Sequence, residues 1–412
     1  MKGVFIIADG LGGRPSDLAG KTCLEAARTP NLDELARRGA IGLIDPIRPG
    51  VRPGSDTAHL SLLGYDPYEV YTGRGVYECL GIGIDVEPGD VCFRANFATV
   101  EETPDGLKLL DRRAGRIESG QEALAQALTQ IELSDGVKFA FKASTQHRGA
   151  LRLRGEGLTR HVSENDPHKT GVVIPDAQPL SDDPGARRTA AAVNEFTRKS
   201  YEVLKDHPVN RERIAAGKPP ANIVLLRGAA DLPHLEPIAK VYKVRGAVIA
   251  GAALYRGVAL ACGMTRIDAP GATGGVDTDL VSKAKTAIEA LNELDYVFIH
   301  VKGTDNKGHD QDAAGKMRFI ERIDAELIGT LMEKLDWSET HLAFTGDHTT
   351  PIDYGDHTAE PVPILYVGPN VRTDATTEFG ERAAGRGGLG RWSGRALPIL
   401  FNYNNWAPKF GS

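Results

Sequence analysis

No stretch of this 412-residue chain approaches the roughly 18–20 consecutive apolar residues that a membrane-spanning helix needs. The apolar run near the N-terminus, "VFIIA", stops at Asp9 with no small-residue cleavage motif behind it, so it reads as a first strand rather than a signal peptide. Cysteine is scarce: Cys23, Cys79, Cys92 and Cys262 are widely spaced and form no Cys-x-x-Cys pair. That excludes a disulfide framework and a zinc ribbon, and points to reduced thiols in a soluble, cytoplasmic protein. Positive charge is not in excess either, with 49 basic against 55 acidic residues and a net charge of -6, which argues against a nucleic-acid surface. Internal repeats and low-complexity segments are also missing.

What is present is an ordinary globular composition, 41% hydrophobic and 25% charged, in a chain longer than one core usually sustains. Two domains are therefore expected. "GVFIIADG" is a continuous apolar run of the kind buried on both faces of a parallel sheet, with Asp9 at its carboxyl end. "TPNLDELARRGA" predicts a helix with Thr29 as N-cap, Pro30 in the first turn and Gly39 as the stop. "AIGLIDPI" follows as a strand and "DTAHLSLLG" as a short helix behind Gly54-Ser55. Near the other end, "DTDLVSKAKTAIEALNEL", "DYVFIHVKG", "AAGKMRFIERIDAELIGTLMEKL" and "THLAFTGDH" alternate helix with buried strand. This grammar predicts an α/β fold, a doubly wound and mostly parallel sheet formed by residues 1–77 and 270–412. Residues 78–269 read differently, as short alternating strands joined by turns, a helix over about 186–204 and the strand "ANIVLLRG". They are expected to form a smaller inserted α+β domain that binds substrate and acts as a lid.

The stretch "GDHTTPIDYGDH", residues 346–357, says Gly-Asp-His twice within twelve positions. Carboxylate oxygen and neutral imidazole nitrogen are the donors that hold borderline divalent metals. "KGTDNKGHD" adds Asp305 and His309 four residues apart, a spacing that lets both face one ion from a single helical turn. Of the chain's 11 histidines, three in this region, His309, His348 and His357, each stand beside an aspartate. "RPGSDTAH" places Ser55 at a helix start. Taken alone, Ser55 or Asp56 there reads as a helix cap, but beside a metal site a serine hydroxyl reads as a nucleophile, because a divalent ion can activate it without a neighbouring base.

Together "ADG", "TPNLDELA", "PGSDTAH", "KGTDNKGHD" and "GDHTTPIDYGDHTAEPVP" resemble the alkaline-phosphatase superfamily, and more closely cofactor-independent phosphoglycerate mutase of the archaeal type, in order along nearly the whole chain. The resemblance implies an alkaline-phosphatase-like sheet and an enzyme that interconverts 3-phosphoglycerate and 2-phosphoglycerate through a phosphoserine at Ser55. It implies two divalent metal ions, one on Asp305, His309 and His357 and the other on Asp9, Asp347, His348 and Ser55 Oγ. Mn2+ suits such donors best, with Mg2+, Co2+ or Zn2+ as alternatives. Asp356 is either a carboxylate that orients His357 or a plain surface residue. Arg94, His147, Arg148 and Arg227 are candidates to grip the substrate's carboxylate and phosphate, as is Lys302 at a strand end; Asp166 and His168 are candidate neighbours. The departure of Gly54-Ser55-Asp56 from the bacterial Asn-Ser-Glu keeps bacterial substrate contacts from being carried over. The rival readings are a metal-dependent phosphatase or phosphotransferase with another small ester as substrate, and a catalytically silent metal-binding or assembly protein. The Gly/Arg-rich stretch "GRGGLGRWSGRALPILF" leaves a homo-oligomer open.

Overall fold

The computed structural model describes residues 1–411. It divides into two compact units, one made of residues 1–71 with those from 235 onward and the other of Thr72–His234.

The first unit is built on an eight-stranded sheet. In spatial order the strands are Gly390–Ser393, Gly39–Asp45, Val362–Val367, Thr340–Thr345, Lys2–Ala8, Tyr296–Val301, Gly246–Ile249 and Thr265–Arg266. Neighbours are parallel except for the two pairings made by Val362–Val367. Both faces are covered by helices, which is why the central strand is apolar throughout: Val4, Phe5, Ile6 and Ile7 are fully buried. On one face Val4, Ile6, Val297 and Ile299 pack against Leu32 and Leu35 of helix Pro30–Arg38, Leu280 and Ala284 of Leu280–Ala290, and Phe319, Ile323 and Leu327 farther on. On the other face Phe298 lies beside His59 of helix Ser55–Leu62, and Tyr296 beside Phe401 of Ala396–Tyr403.

The register of this sheet decides where chemistry collects. Ile7 is paired with His300 on one side and with Thr345 on the other. Two residues past that row lie Asp9, Lys302 and Asp347, so the three strands release a carboxylate, an ammonium and a second carboxylate at one edge. Carboxyl edges of open parallel sheets are the usual place for ligands.

The second unit holds a five-stranded antiparallel sheet, Gly106–Asp111, Val91–Thr103, Arg148–Arg154 and Lys138–Ala143, with Ile223–Ala230 also pairing with Val91–Thr103. Phe93, Phe97, Leu151 and Leu226 from the sheet form its core with Val193 and Phe196 of helix Pro184–Leu204.

Three sequence expectations change. The inserted unit spans Thr72–His234 rather than 78–269. At its C-terminal end, Gly246–Ile249 pairs in parallel with Tyr296–Val301, so this segment belongs to the first unit's sheet. Thr29 stands at the N-cap position of Pro30–Arg38 without capping it; the free amides of Asn31 and Leu32 are taken instead by the buried carboxylate of Asp324. The long helix begun at Ala313 is not uniform but passes through a π segment, Ile323–Ile328, which carries that aspartate. All four cysteines are buried and free. Among the described residues no helix is long and apolar enough to cross a membrane.

Candidate functional site

Each group at the sheet edge has a local reason for its place. Helix Gly303–His309 follows directly on strand Tyr296–Val301, so the four-residue spacing puts Asp305 and His309 on one helical face. His309 Nε2 lies 3.3 Å from Asp305 Oδ1, and His357 Nε2 lies 3.5 Å from the same oxygen. Both rings are aimed from behind: His309 Nδ1 donates to Gly355 O at 2.9 Å, and His357 Nδ1 donates to Pro53 O at 2.9 Å. With Nδ1 protonated in this way, a neutral ring turns the Nε2 lone pair toward Asp305.

The second group is wholly buried. His348 Nε2 stands 3.3 Å from Asp9 Oδ1, 3.3 Å from Asp347 Oδ2 and 3.3 Å from Ser55 Oγ. Asp347 is steered by the Gly10 amide, which donates to its Oδ1 at 2.9 Å. Ser55 is the first residue of its helix, and its hydroxyl makes no cap; the N-cap position is Gly54, also without a side-chain cap. Asp56 instead accepts from the Thr57 amide and the Tyr71 hydroxyl. The capping alternative for this motif is therefore not what the fold uses.

The two groups are adjacent. The His348 and His357 rings stack with centroids 3.4 Å apart, and Thr350 Oγ1 lies 3.0 Å from His348 Nδ1 and 3.3 Å from Asp305 Oδ1. Lys302 Nζ bridges them as well, 3.2 Å from Asp9 Oδ2 and 2.6 Å from Asp305 Oδ2.

The donor sets fit divalent cations. In each triad the nearest ligand atoms lie within 4.8 Å of one another. Asp9 Oδ1 and Asp347 Oδ2 are buried with no hydrogen-bond donor, which a folded protein seldom tolerates unless something else satisfies them. Burial and the nearby Asp9 charge push the Asp347 carboxyl well up. For Asp9, burial works in the same direction but is outweighed by Lys302, His300 and His348, so its carboxyl is held low. The Asp305 carboxylate raises His309 to about 9. A cation would let the Asp347 carboxyl ionise beside Asp9 and the His309 imidazole stay neutral.

Sequence reasoning missed a layer behind these groups. His59 and His300 are fully buried, with Tyr255 stacked on His300 at 3.5 Å and His300 Nε2 lying 3.2 Å from Asp9 Oδ2. Burial above all lowers both imidazoles, His59 to about 3 and His300 to about 4. His59 Nδ1 donates to Ser55 O at 2.6 Å, one turn back along the helix, a signal present in the spacing of "SDTAH". His300 was legible only through strand alternation, two positions before Lys302.

The inserted unit gathers cations on one sheet face. Arg94 is opposite Arg227 in the register, and Asn96, two residues on and so on the same face, is opposite Arg148. Glu78 reaches Arg74 and Arg94 at 3.0 and 3.4 Å. Burial and the surrounding guanidiniums push Arg94 down, while Glu78 opposes them. Asp166 is held by both Nε and Nη2 of Arg112, at 2.8 and 2.7 Å, and lies 3.8 Å from Arg227. His168 stands beside Arg112 and Glu164, at 3.1 and 2.6 Å. His147 is buried, and burial with the nearby Arg148 lowers its imidazole to about 4. Arg74 and Arg112 had not been singled out in the sequence; the second lay in "LLDRR", just past a strand.

A parallel-sheet α/β unit with two Asp/His donor sets flanking a helix-borne serine defines a class of protein built to bring a hydroxyl and divalent cations together. Comparison with known proteins names the family. A family model described as 2,3-bisphosphoglycerate-independent phosphoglycerate mutase matches residues 36–210, a span that carries Ser55. Relatives of that name match end to end: one from Methanopyrus kandleri is 51% identical, covering 99% of this chain and 98% of its own length. Another, from Ignicoccus hospitalis, is 50% identical, covering 100% and 99%. Among solved structures, a cofactor-independent phosphoglycerate mutase from Thermoplasma acidophilum aligns with a TM-score of 0.70 at 32% identity, covering 98% of this chain and 100% of that one. A protein from Pyrococcus horikoshii aligns with a TM-score of 0.86 at 39% identity, covering 100% and 99%. The chain belongs to the 2,3-bisphosphoglycerate-independent phosphoglycerate mutase family.

Proposed function

We infer that this chain interconverts 3-phosphoglycerate and 2-phosphoglycerate without 2,3-bisphosphoglycerate, the activity for which its full-length relatives are named. The observation that carries a mechanism is the buried serine hydroxyl 3.3 Å from His348 Nε2, beside two carboxylate oxygens that have no donor. Asp305, His309 and His357 would hold one divalent ion, and Asp9, Asp347, His348 and Ser55 Oγ the other; manganese suits this mixed oxygen and nitrogen set. Such ions supply stabilisation of the serine alkoxide and of the phosphate charge.

In the first half-reaction Ser55 Oγ forms a bond to phosphorus as the bond to the glycerate oxygen breaks, and the proton that serine loses ends on that oxygen. Glycerate turns over, and the second half-reaction reverses these bonds at its other hydroxyl. Lys302, with its ammonium directed at Asp9 and Asp305, lies where a phosphate oxygen bound at both donor sets would meet a cation. Arg94, Arg148 and Arg227 would supply guanidiniums whose planar forks match a carboxylate, with Asp166, itself held by Arg112, beside Arg227 and Glu78 beside Arg94. The four free cysteines and a glycolytic substrate support a cytoplasmic location.

The test is conversion of 3-phosphoglycerate without 2,3-bisphosphoglycerate, with and without a chelator, alongside mass spectrometry of quenched enzyme. Activity that needs metal, and phosphate on the peptide containing Ser55, are expected, with a loss of several orders of magnitude in Ser55→Ala. Phosphate on another residue, or hydrolysis without isomerisation, would give the reading over to a phosphatase.

A further inference from the structure

The strap leading into the nucleophile and the loop carrying His357 are joined by one arginine. Arg52 Nε donates to His357 O at 2.7 Å, and Arg52 Nη2 donates to Asp356 Oδ2 at 2.8 Å. Its guanidinium also lies over the Tyr354 ring, 5.4 Å from the centroid. Asp356 Oδ1 in turn accepts from the His357 amide at 2.7 Å. The next residue of the strap, Pro53, provides the carbonyl that orients the His357 ring, and Ser55 follows two positions later.

The pair is half exposed, 51% for the arginine side chain and 57% for the aspartate. An ion pair so open to water adds little to stability, so the fold itself has small need of it. What it controls is geometry. Gly355 O aims His309, His357 is the third donor of that triad, and Pro53 belongs to the segment that positions Ser55. Among the described residues no other side chain ties both the Asp356 carboxylate and the His357 carbonyl to that segment.

We propose that Arg52 and Asp356 form a positioning clamp, which fixes the Asp305, His309 and His357 triad against the strap that presents Ser55. The proposal rests on the metal assignment made above. It gives the second Gly-Asp-His a use for its aspartate, as a carboxylate that orients His357 through the backbone rather than as a ligand.

The experiment is Co2+ binding to the full chain followed by its visible absorption, with hydrogen exchange of the metal-free chain over residues 354–358 as a second readout. The parent should bind two equivalents. Arg52→Ala should weaken one of them about tenfold or more and leave the other unchanged, the range found when a group that orients a ligand is removed. The double variant with Asp356→Ala should be no weaker than Arg52→Ala alone, because the two act as one unit. Arg52→Lys should recover less than half of the loss, since an ammonium lacks the planar fork. Arg48→Ala is the matched control: it removes a pair with Asp66 at 3.0 Å and a contact with the Tyr68 ring, and should bind as the parent does. In metal-free Arg52→Ala, exchange at 354–358 should quicken. Parental affinity at both sites in Arg52→Ala, equal weakening of both, full recovery by lysine, or unchanged exchange would each overturn the clamp. A parent that binds no Co2+ would sink the metal assignment instead, and the exchange measurement would still decide the clamp.

Discussion

Replacing Lys302 with Met removes an ammonium that lies between the two donor sets while keeping most of the side chain's length. Its Nζ stands 2.6 Å from Asp305 Oδ2 and 3.2 Å from Asp9 Oδ2. At an effective dielectric constant of about 20, those separations correspond to roughly 6 and 5 kcal/mol of attraction. Desolvation of the three groups offsets much of this, and breaking such a buried pair by removing one partner typically costs about 3–5 kcal/mol. That is the loss of stability expected in chelated protein. Divalent ions supply the missing positive charge to the same carboxylates, so at saturating Mn2+ the deficit should shrink to under about 2 kcal/mol. By linkage, a variant rescued by metal must bind metal more tightly: 2 kcal/mol of rescue corresponds to roughly 30-fold. Both sides are measurable. Trp337, Trp392 and Trp406 all lie in the unit made of residues 1–71 and 235 onward. Urea unfolding followed by tryptophan fluorescence therefore reports that unit alone, and calorimetry gives the Mn2+ affinity. An equal deficit with chelator and with Mn2+, or weaker Mn2+ binding in the variant, would refute the placement of ions between these carboxylates.

Two further outcomes follow from the same geometry. His357→Ala and His348→Ala should each lose about one of two bound Mn2+ per chain by elemental analysis, and the double variant both; loss of both ions in either single variant would show that the triads are not separate sites. Burial pushes the Lys283 ammonium down to about 8, against about 10.5 unfolded. The native state then binds fewer protons than the unfolded chain between those values, so this lysine's penalty is complete below pH 8 and disappears as pH rises toward 10.5. The 2.5-unit difference corresponds to about 3 kcal/mol. The stability of the parent relative to Lys283→Met, from urea curves at pH 7 and pH 10, should rise by that order; a flat difference would mean the lysine is not held as buried as its 2.9 Å bond to His300 O implies.

How much of this was legible follows from which signals are local. Strand Lys2–Ala8 could be read because burial on both faces leaves no polar position, and the Asp305 and His309 pair because one helical turn imposes its own spacing. The edge of the inserted unit could not be read. Gly246–Ile249 is four residues long, and what assigns it to the parallel sheet is pairing with Tyr296–Val301, almost 50 residues later in the chain. Thr29 failed as a cap for a similar reason: the acceptor that won, Asp324, comes from a distant π segment. His300 carried no motif, because a histidine behind a carboxylate is recognised only when the sheet register brings the two together.

The repeated Gly-Asp-His shows why a motif's letters do not settle its roles. Gly346-Asp347-His348 begins where strand Thr340–Thr345 ends, so its aspartate is carried into the fully buried edge, where the Gly10 amide holds one oxygen and the other is left facing His348 and His59. Gly355-Asp356-His357 sits on a loop that turns at Gly355 with φ of +67°, a backbone conformation that side chains other than glycine's rarely adopt. There the aspartate points to solvent and finds Arg52, while the histidine alone turns inward to Asp305. In the first copy aspartate and histidine serve one donor set; in the second, glycine orients the neighbouring His309 through its carbonyl, aspartate fixes the loop, and histidine completes the triad. An aspartate exchanged between the two contexts would therefore change its chemistry with its burial, because a carboxylate in water needs no partner whereas one at the sheet edge must have a cation.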